Sequence, residues 1–501
     1  MGAIRRQSII SFLIVYAGFA LGIFNTWLFT RQGSGFTEAQ YGLTQTFIPI
    51  VIVFFNLASL GTTAYINKFF PYYKKLPYRE NDQLAWALGL PVLAYGVVVL
   101  IGIALKDLIV NRIFDNAPEL IRYYYYLFPF GLGYLIFMIL EAWAWQQREA
   151  VMSNFLKEVS YRAFTTLLII LVLAGVLQNF DAFMIWYAGG YLLMATILLF
   201  YFHQRGQLPL HVKVSAVTKK FFKKIKALAS FVWTGAFVAN LASVADSLII
   251  TAVLPNGLAM AGIFAFGQVL TSLIQAPQRA VISAAIGPLS QAWKDKDLST
   301  IGRIYQRSSI NLLLFSVAAY TLILLNFTDA VRTFNLKPAF LEALPVFVFM
   351  GLTRVVDLST GVNAQVIGTS NYWRFEFVTG LVLLTLMLPL NYLLTRTYGI
   401  TGSGVANLFA YTVYNSIRCW FLWSRFKMQP FTVKSALAVA GTAALGVVVY
   451  QAFKNQSGLT WLVLRSLAFL SLFALFAWWA QLSPDTASLA ASIKKRLGVK
   501  A

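Results

Sequence analysis

Apolar runs of roughly twenty residues, separated by short polar and mostly basic stretches, recur along the whole chain. A helix needs about 20 apolar residues to cross the hydrocarbon core of a bilayer. That ruler predicts spans near 8–30, 40–67, 83–105, 120–146, 151–175, 180–202, 228–253, 258–289, 304–326, 339–367, 373–395, 402–424, 432–453 and 459–481. Lipid offers no partner to backbone N–H and C=O groups, so such segments are expected as helices that satisfy those groups internally. The pattern predicts an all-α, polytopic membrane protein with about fourteen transmembrane helices.

The basic residues between the runs set a direction. If the N-terminus is cytoplasmic, the loops and tails on that side carry roughly 28 Lys and Arg, the bias of the positive-inside rule. They include Arg5, Lys74, Arg148, Lys219, Lys220, Lys223, Lys224, Arg303, Lys427 and Lys495. The opposite side carries Arg31, Lys106, Arg112, Arg122, Arg332, Lys337, Arg396 and Lys454. One miscounted span would flip every later loop and erase this bias. An even number of spans with both termini cytoplasmic is therefore expected.

Composition agrees. The chain is 59% hydrophobic with a mean hydropathy of +0.69, against roughly 45–50% apolar residues in a soluble domain. The formal charge of +22 would suggest nucleic acid in a soluble protein. Here it sits in loops between apolar runs, and no nucleic-acid partner is expected. A single cysteine, Cys419, permits no intramolecular disulfide. The two histidines, His203 and His211, share one basic segment, which excludes a multi-Cys/His zinc site. No GxxxxGK[ST] phosphate loop is present, so the chain is not expected to hydrolyse ATP. Met1–Gln7 leads into a run of full spanning length without a small-residue cleavage site, and a retained first helix is expected. No loop exceeds about 25 residues, too short for an extramembrane catalytic domain. No catalytic residues and no bound cofactor are expected.

An internal repeat appears at an offset of about 220 residues. It relates Pro118 to Pro338, Gly131 to Gly351, and Ala39-Gln40-Tyr41-Gly42-Leu43 to Ala259-Met260-Ala261-Gly262-Ile263. Six spans per repeat is an even number, so the two copies run parallel. The expected organisation is an N-lobe over 1–204, a basic cytoplasmic connection over 205–226, a C-lobe over 227–428, and two additional spans with a basic tail over 429–501. Two lobes around a central cleft form a transporter layout, with substrate near the bilayer middle.

Ionisable residues inside spans are expensive and therefore functional candidates. Arg279 lies past the middle of span eight, after Pro277, with no acid within a turn. Arg354 and Asp357 lie in span ten, three residues apart, and pair with each other on one reading. Arg418 lies in span twelve, Asp246 in span seven and Glu141 near the end of span four, while Arg31 closes span one. Arg465 and Glu376 are close enough to span ends to snorkel. The arginine fork bonds two phosphate oxygens at once. Arg279, Arg354, Arg418 and Arg31 are thus candidates for holding phosphate or pyrophosphate. Asp246, Asp357 and Glu141 are candidates for carrying a coupling H⁺ or Na⁺ or for pairing structurally. Polar residues such as Gln275, Asn240, Asn363, Gln365 and Asn415 suit sugar hydroxyls or neighbouring helices equally well.

Two stretches carry a family resemblance. One runs from Leu28-Phe29-Thr30-Arg31 through Ala39-Gln40-Tyr41-Gly42-Leu43 to Ser59-Leu60-Gly61-Thr62-Thr63-Ala64-Tyr65-Ile66-Asn67-Lys68-Phe69-Phe70-Pro71. The other is Tyr398-Gly399-Ile400-Thr401-Gly402-Ser403-Gly404-Val405-Ala406. With the span layout, the chain resembles the Wzx-type polysaccharide (O-antigen) flippases of the multidrug/oligosaccharidyl-lipid/polysaccharide (MOP) superfamily. The resemblance implies a MATE-like, V-shaped two-lobe bundle with alternating access, in a bacterial inner membrane. It implies transfer of an undecaprenyl-pyrophosphate-linked oligosaccharide from the cytoplasmic to the periplasmic leaflet, for cell-surface polysaccharide (lipopolysaccharide) synthesis. It also implies cavity roles for Arg31 and Arg279 and an acid at Asp246. Membrane lipids and glycosyltransferase or polymerase partners are expected around a monomer. The alternatives are an ion-coupled cation exporter of the same superfamily, which would want an acidic cavity, and a lipid II flippase.

Overall fold

The computed structural model describes residues 2–484. Those residues form helices joined by short turns, and twelve of the helices are long and apolar enough to cross a membrane. The protein is a multi-pass, all-helical membrane protein. Leu93, Leu100, Val447 and Trp479 are exposed side chains on apolar helices, as expected where the outer surface faces lipid rather than water.

Several spans depart from the expected list, span ten among them, which ends at Ser359 before a separate helix Asn363–Gly368; three departures have a clear local cause. Span two is two helices, Glu38–Ala58 and Thr62–Tyr73. Between them Gly61 has φ 70°, and a Cβ there would meet the carbonyl of Ala229. Span five is helical from Ala150 to Leu173 but passes through a π-turn, Phe155–Ser160, which breaks its regular length. Spans eleven and twelve form one element, Trp373–Phe426, bent at Gly399. Its 54 residues would make a straight helix of ~80 Å, well beyond twice a ~30 Å hydrocarbon core. Gly399 supplies the bend with φ 63° and ψ −149°, a conformation essentially reserved for glycine. Gly399→Ala should therefore destabilise the protein by about 1–3 kcal/mol. Gly380→Ala, at a position with open space and no such φ, should be neutral or slightly stabilising. Chemical denaturation of the two variants checks the contrast, and equal behaviour would contradict it.

The chain divides into two compact units, Met1–Gly262 and Ile263–Ala501. The core of the first is aromatic. Phe180, Phe183 and Tyr187 stack along helix Phe180–Gln204, and Tyr161 lies over Tyr191 with centroids 4.3 Å apart. Gly133 lets helix Leu127–Gln146 approach the Tyr191–Leu192 backbone, where a side chain would collide. Helix Ala216–Val253 starts at Ser215, whose hydroxyl accepts from the Thr218 amide at 3.2 Å. Buried Asp82 accepts from Ser215 N at 2.9 Å and Thr218 Oγ1 at 2.7 Å, so an anion sits at the positive end of that helix.

In the second unit, Asp297 caps helix Leu298–Thr333. Hydrogen bonds from Thr300 and Ser299 favour its charged form and hold its carboxyl down at about 2. Two residue pairs at the 220-residue offset have comparable local settings. Pro118 and Pro338 each open a helical turn. Gly131 faces the Tyr95 hydroxyl, and Gly351 faces the Tyr320 ring, where a Cβ would come within 2.6 Å.

Candidate functional site

Within the second unit, parts of helices Gly257–Lys294, Ala343–Ser359, Asn363–Gly368 and Trp373–Phe426 surround a polar cavity of about 200 Å³. Polar side chains persist among these apolar helices because each finds a partner. Asp357 accepts from Gln278 Nε2 at 3.2 Å and from Asn415 Nδ2 at 3.1 Å. The Asn415 carbonyl accepts from Thr360 Oγ1 at 3.1 Å and Asn363 Nδ2 at 3.0 Å. Gln275 Nε2 donates to Gln278 Oε1 at 3.0 Å. Gln278 and Asn415 thereby have their orientation fixed, with NH₂ groups turned toward the carboxylate, while Gln275 and Asn363 donate to their carbonyl oxygens. Asp357 is held by neutral donors and makes no ion pair among the described residues.

Arg418 lines the same cavity and is 3% exposed. Its guanidinium pairs with Glu376, donates through Nε to Thr379 Oγ1 at 3.3 Å, and lies 3.6 Å from the Tyr414 ring centroid. A charge desolvated this far persists only when paired and hydrogen-bonded. Glu376 thus lies within reach of Arg418 rather than of the interface alone, and Arg418, a candidate for phosphate, is balanced by it.

Arg354 does not pair with Asp357 among the described residues. Asp357 is engaged by Gln278 and Asn415, while Arg354 turns its guanidinium over Tyr411, 5.8 Å from the ring centroid, with a buried Nε that has no partner. Arg279 is exposed on helix Gly257–Lys294, which runs on through Pro277, and it has no ion pair or hydrogen bond among the described residues. The sequence-derived candidates Asp357 and Arg418 thus meet at one cavity, which neither Arg279 nor Arg354 lines.

The remaining candidates lie in the first unit. Arg31 follows the first helix with its guanidinium 5.0 Å from the Trp27 ring centroid and a buried, unpartnered Nε. Asp246 is 3% exposed in helix Ala216–Val253. Glu141 is buried and paired with Lys157 at 3.0 Å, which gives it a structural partner. Asn240 donates to Asn56 Oδ1 at 2.7 Å, so it too bonds a neighbouring helix.

Gln278, Thr360 and Tyr414 belong to this cluster without having been candidates from the sequence. A signal existed for two of them: Gln278 stands one helical turn after Gln275, and Tyr414 one turn before Arg418. A fourth omission, Asp329, is the partner of Arg465. That arginine is 6% exposed and bonded at 3.2 Å to Asp329, not snorkelling.

The element order, the bent Trp373–Phe426 helix and the polar cavity define a many-helix membrane protein with a polar site among apolar helices. No protein-family model and no curated protein matches the sequence. Among solved structures, the lipid II flippase MurJ in an inward closed conformation superimposes with a TM-score of 0.71 at 14% identity, over 94% of this chain and 97% of MurJ. An inward-facing multidrug resistance MATE family transporter of the MOP superfamily matches at TM-score 0.65 and 11% identity, over 84% and 98% of the two chains. A point mutant of the Vibrio cholerae MATE transporter VcmN matches at TM-score 0.54 and 14% identity, over 85% and 98%. The chain therefore has the fold shared by MurJ and the MATE transporters of the MOP superfamily.

Proposed function

We propose that this chain is an alternating-access transporter of the bacterial inner membrane. Its substrate on this reading is a polyprenyl-pyrophosphate-linked oligosaccharide, moved from the cytoplasmic to the periplasmic leaflet for cell-surface polysaccharide. The observation that carries the reading is a pair of uncompensated arginines on membrane helices. Arg279 has no ion-pair or hydrogen-bond partner among the described residues, and Arg354 keeps a buried Nε unpartnered. Such charges are expensive in lipid unless they face water or an anion, and the guanidinium fork matches phosphate oxygens. The fold shared with a lipid II flippase supports a lipid-linked substrate. Asp357, held by neutral amides, is the proposed carrier of a coupling H⁺ or Na⁺. We take the protein to act as a monomer beside glycosyltransferases or a polymerase, with both termini cytoplasmic.

The test is made in a strain lacking the gene, with lipid-linked precursor quantified on the inner leaflet and surface glycan followed by gel. Precursor should accumulate and glycan should vanish, with wild type restoring both. Charge-assisted hydrogen bonds contribute about 1.5–3 kcal/mol, so Arg279→Ala and Arg354→Ala should each slow transfer by roughly tenfold or more. Asp357→Asn should remove the dependence on an ion gradient while the protein still inserts. Normal glycan together with altered sensitivity to cationic drugs would replace this reading with a cation exporter, in which Asp357 is the binding acid. Wild-type transfer by both arginine variants would remove the anion-binding role.

A further inference from the structure

A second, larger cavity of about 740 Å³ lies in the second unit, away from the polar site. It opens where helix Leu298–Thr333 begins, helix Trp373–Phe426 ends and helix Val433–Phe453 starts. Its volume falls in the range of small-molecule sites, roughly 300–1,000 Å³. Four cations converge on it from three segments: Arg303, Arg307, Lys427 and Lys434. No Asp or Glu stands among the described residues that line it. Ile310 and Met428 give it an apolar wall.

Two further observations bear on what it takes. Lys427 follows the long helix with φ 57°, and its amide bonds back to Trp423 O at 2.9 Å. That left-handed position usually falls to glycine or asparagine, yet here it carries a charged side chain that reaches the cavity. Next to lining residues in the chain, Phe431 and Val433 are exposed, and the Lys427 ammonium lies 5.7 Å from the ring centroid of Trp423, also exposed. Exposed aromatic and aliphatic side chains beside snorkelling cations mark headgroup depth.

We propose that this cavity binds the phosphate of an anionic phospholipid headgroup, with the first carbons of the lipid against Ile310 and Met428. A headgroup fits all the features together: negative charge for a cluster of cations, an apolar continuation, and delivery at the membrane surface. Clusters of Lys and Arg beside membrane helices attract anionic lipids in this way. The site shares no lining residue with the polar cavity around Asp357 and is independent of what is transported.

The test is native mass spectrometry of the full-length protein in detergent, titrated with phosphatidylglycerol or phosphatidylcholine. Wild type should retain one phosphatidylglycerol with at least about tenfold preference over phosphatidylcholine, a gap typical of one well-placed charged contact. The double variant Arg303→Gln/Lys427→Gln should lose that preference. Lys219→Gln/Lys220→Gln, with equal charge removed from exposed lysines elsewhere, should keep it. Thermal unfolding within a few degrees of wild type establishes that the double variant is folded. If it is not, Arg303→Lys/Lys427→Arg, which preserves charge, should retain the lipid and serves as the second measurement. Unchanged preference in a folded double variant, equal loss in the lysine control, or displacement of the lipid by millimolar glycerol phosphate would each overturn the assignment.

Discussion

Arg465→Ala should destabilise the detergent-solubilised protein by about 3–5 kcal/mol, the range for removing one partner of a buried ion pair. The guanidinium lies 3.2 Å from Asp329 Oδ2, and both side chains are about nine-tenths buried. It also donates to Leu325 O at 2.9 Å and Gln456 O at 2.9 Å. Asp329 in turn accepts from the Gly458 amide at 3.5 Å. One arginine thus ties helix Leu298–Thr333 to the turn between the last two long helices and to helix Leu459–Trp479. Alanine would leave a desolvated carboxylate without its counter-ion and take a charged donor from two carbonyls. The double variant Arg465→Met/Asp329→Leu should recover most of the loss, because an apolar replacement of similar volume removes the desolvation penalty as well. Denaturation of the two variants checks the pair. A single variant within about 1 kcal/mol of wild type would mean that water reaches Asp329 after all.

Gly42→Val should be nearly as damaging, by about 1–3 kcal/mol or more, the range for forcing extra atoms into a filled contact. A Cβ at Gly42 would overlap the Leu258 carbonyl, and one at Gly262 would stand 2.8 Å from the Glu38 carbonyl. The obstacles are backbone atoms, which no rotamer change can move aside. Gly96 has nothing within 4 Å of its Cβ position, so Gly96→Ala should be neutral or slightly stabilising. Yield and melting temperature of the two variants decide the matter. A well-folded Gly42→Val would show that this crossing can open without loss.

The contrast between these two predictions marks where sequence reading stops. Gly42 and Gly262 were legible, because they recur at the 220-residue offset with their neighbours. Arg465 and Asp329 stand 136 residues apart with no shared motif. Their pairing appears only when the last two helices pack against Leu298–Thr333. Likewise Glu376 and Arg418 lie 42 residues apart in one element, and the bend at Gly399 is what lets its two halves meet.

The sequence by itself determined the all-helical, multi-pass class and the position of most of the long apolar helices. Those follow from bilayer thickness and backbone hydrogen bonding, which act on composition locally. It also named Asp357 and Arg418, because an intramembrane charge is conspicuous in any apolar run. Only the tertiary structure decided which of those charges are balanced. Balance depends on side chains from separate helices reaching within about 3 Å, and on amides such as Gln278 and Asn415 turning toward one carboxylate. No one-dimensional pattern encodes that convergence, because each partner reads alone as an ordinary polar residue on an apolar helix.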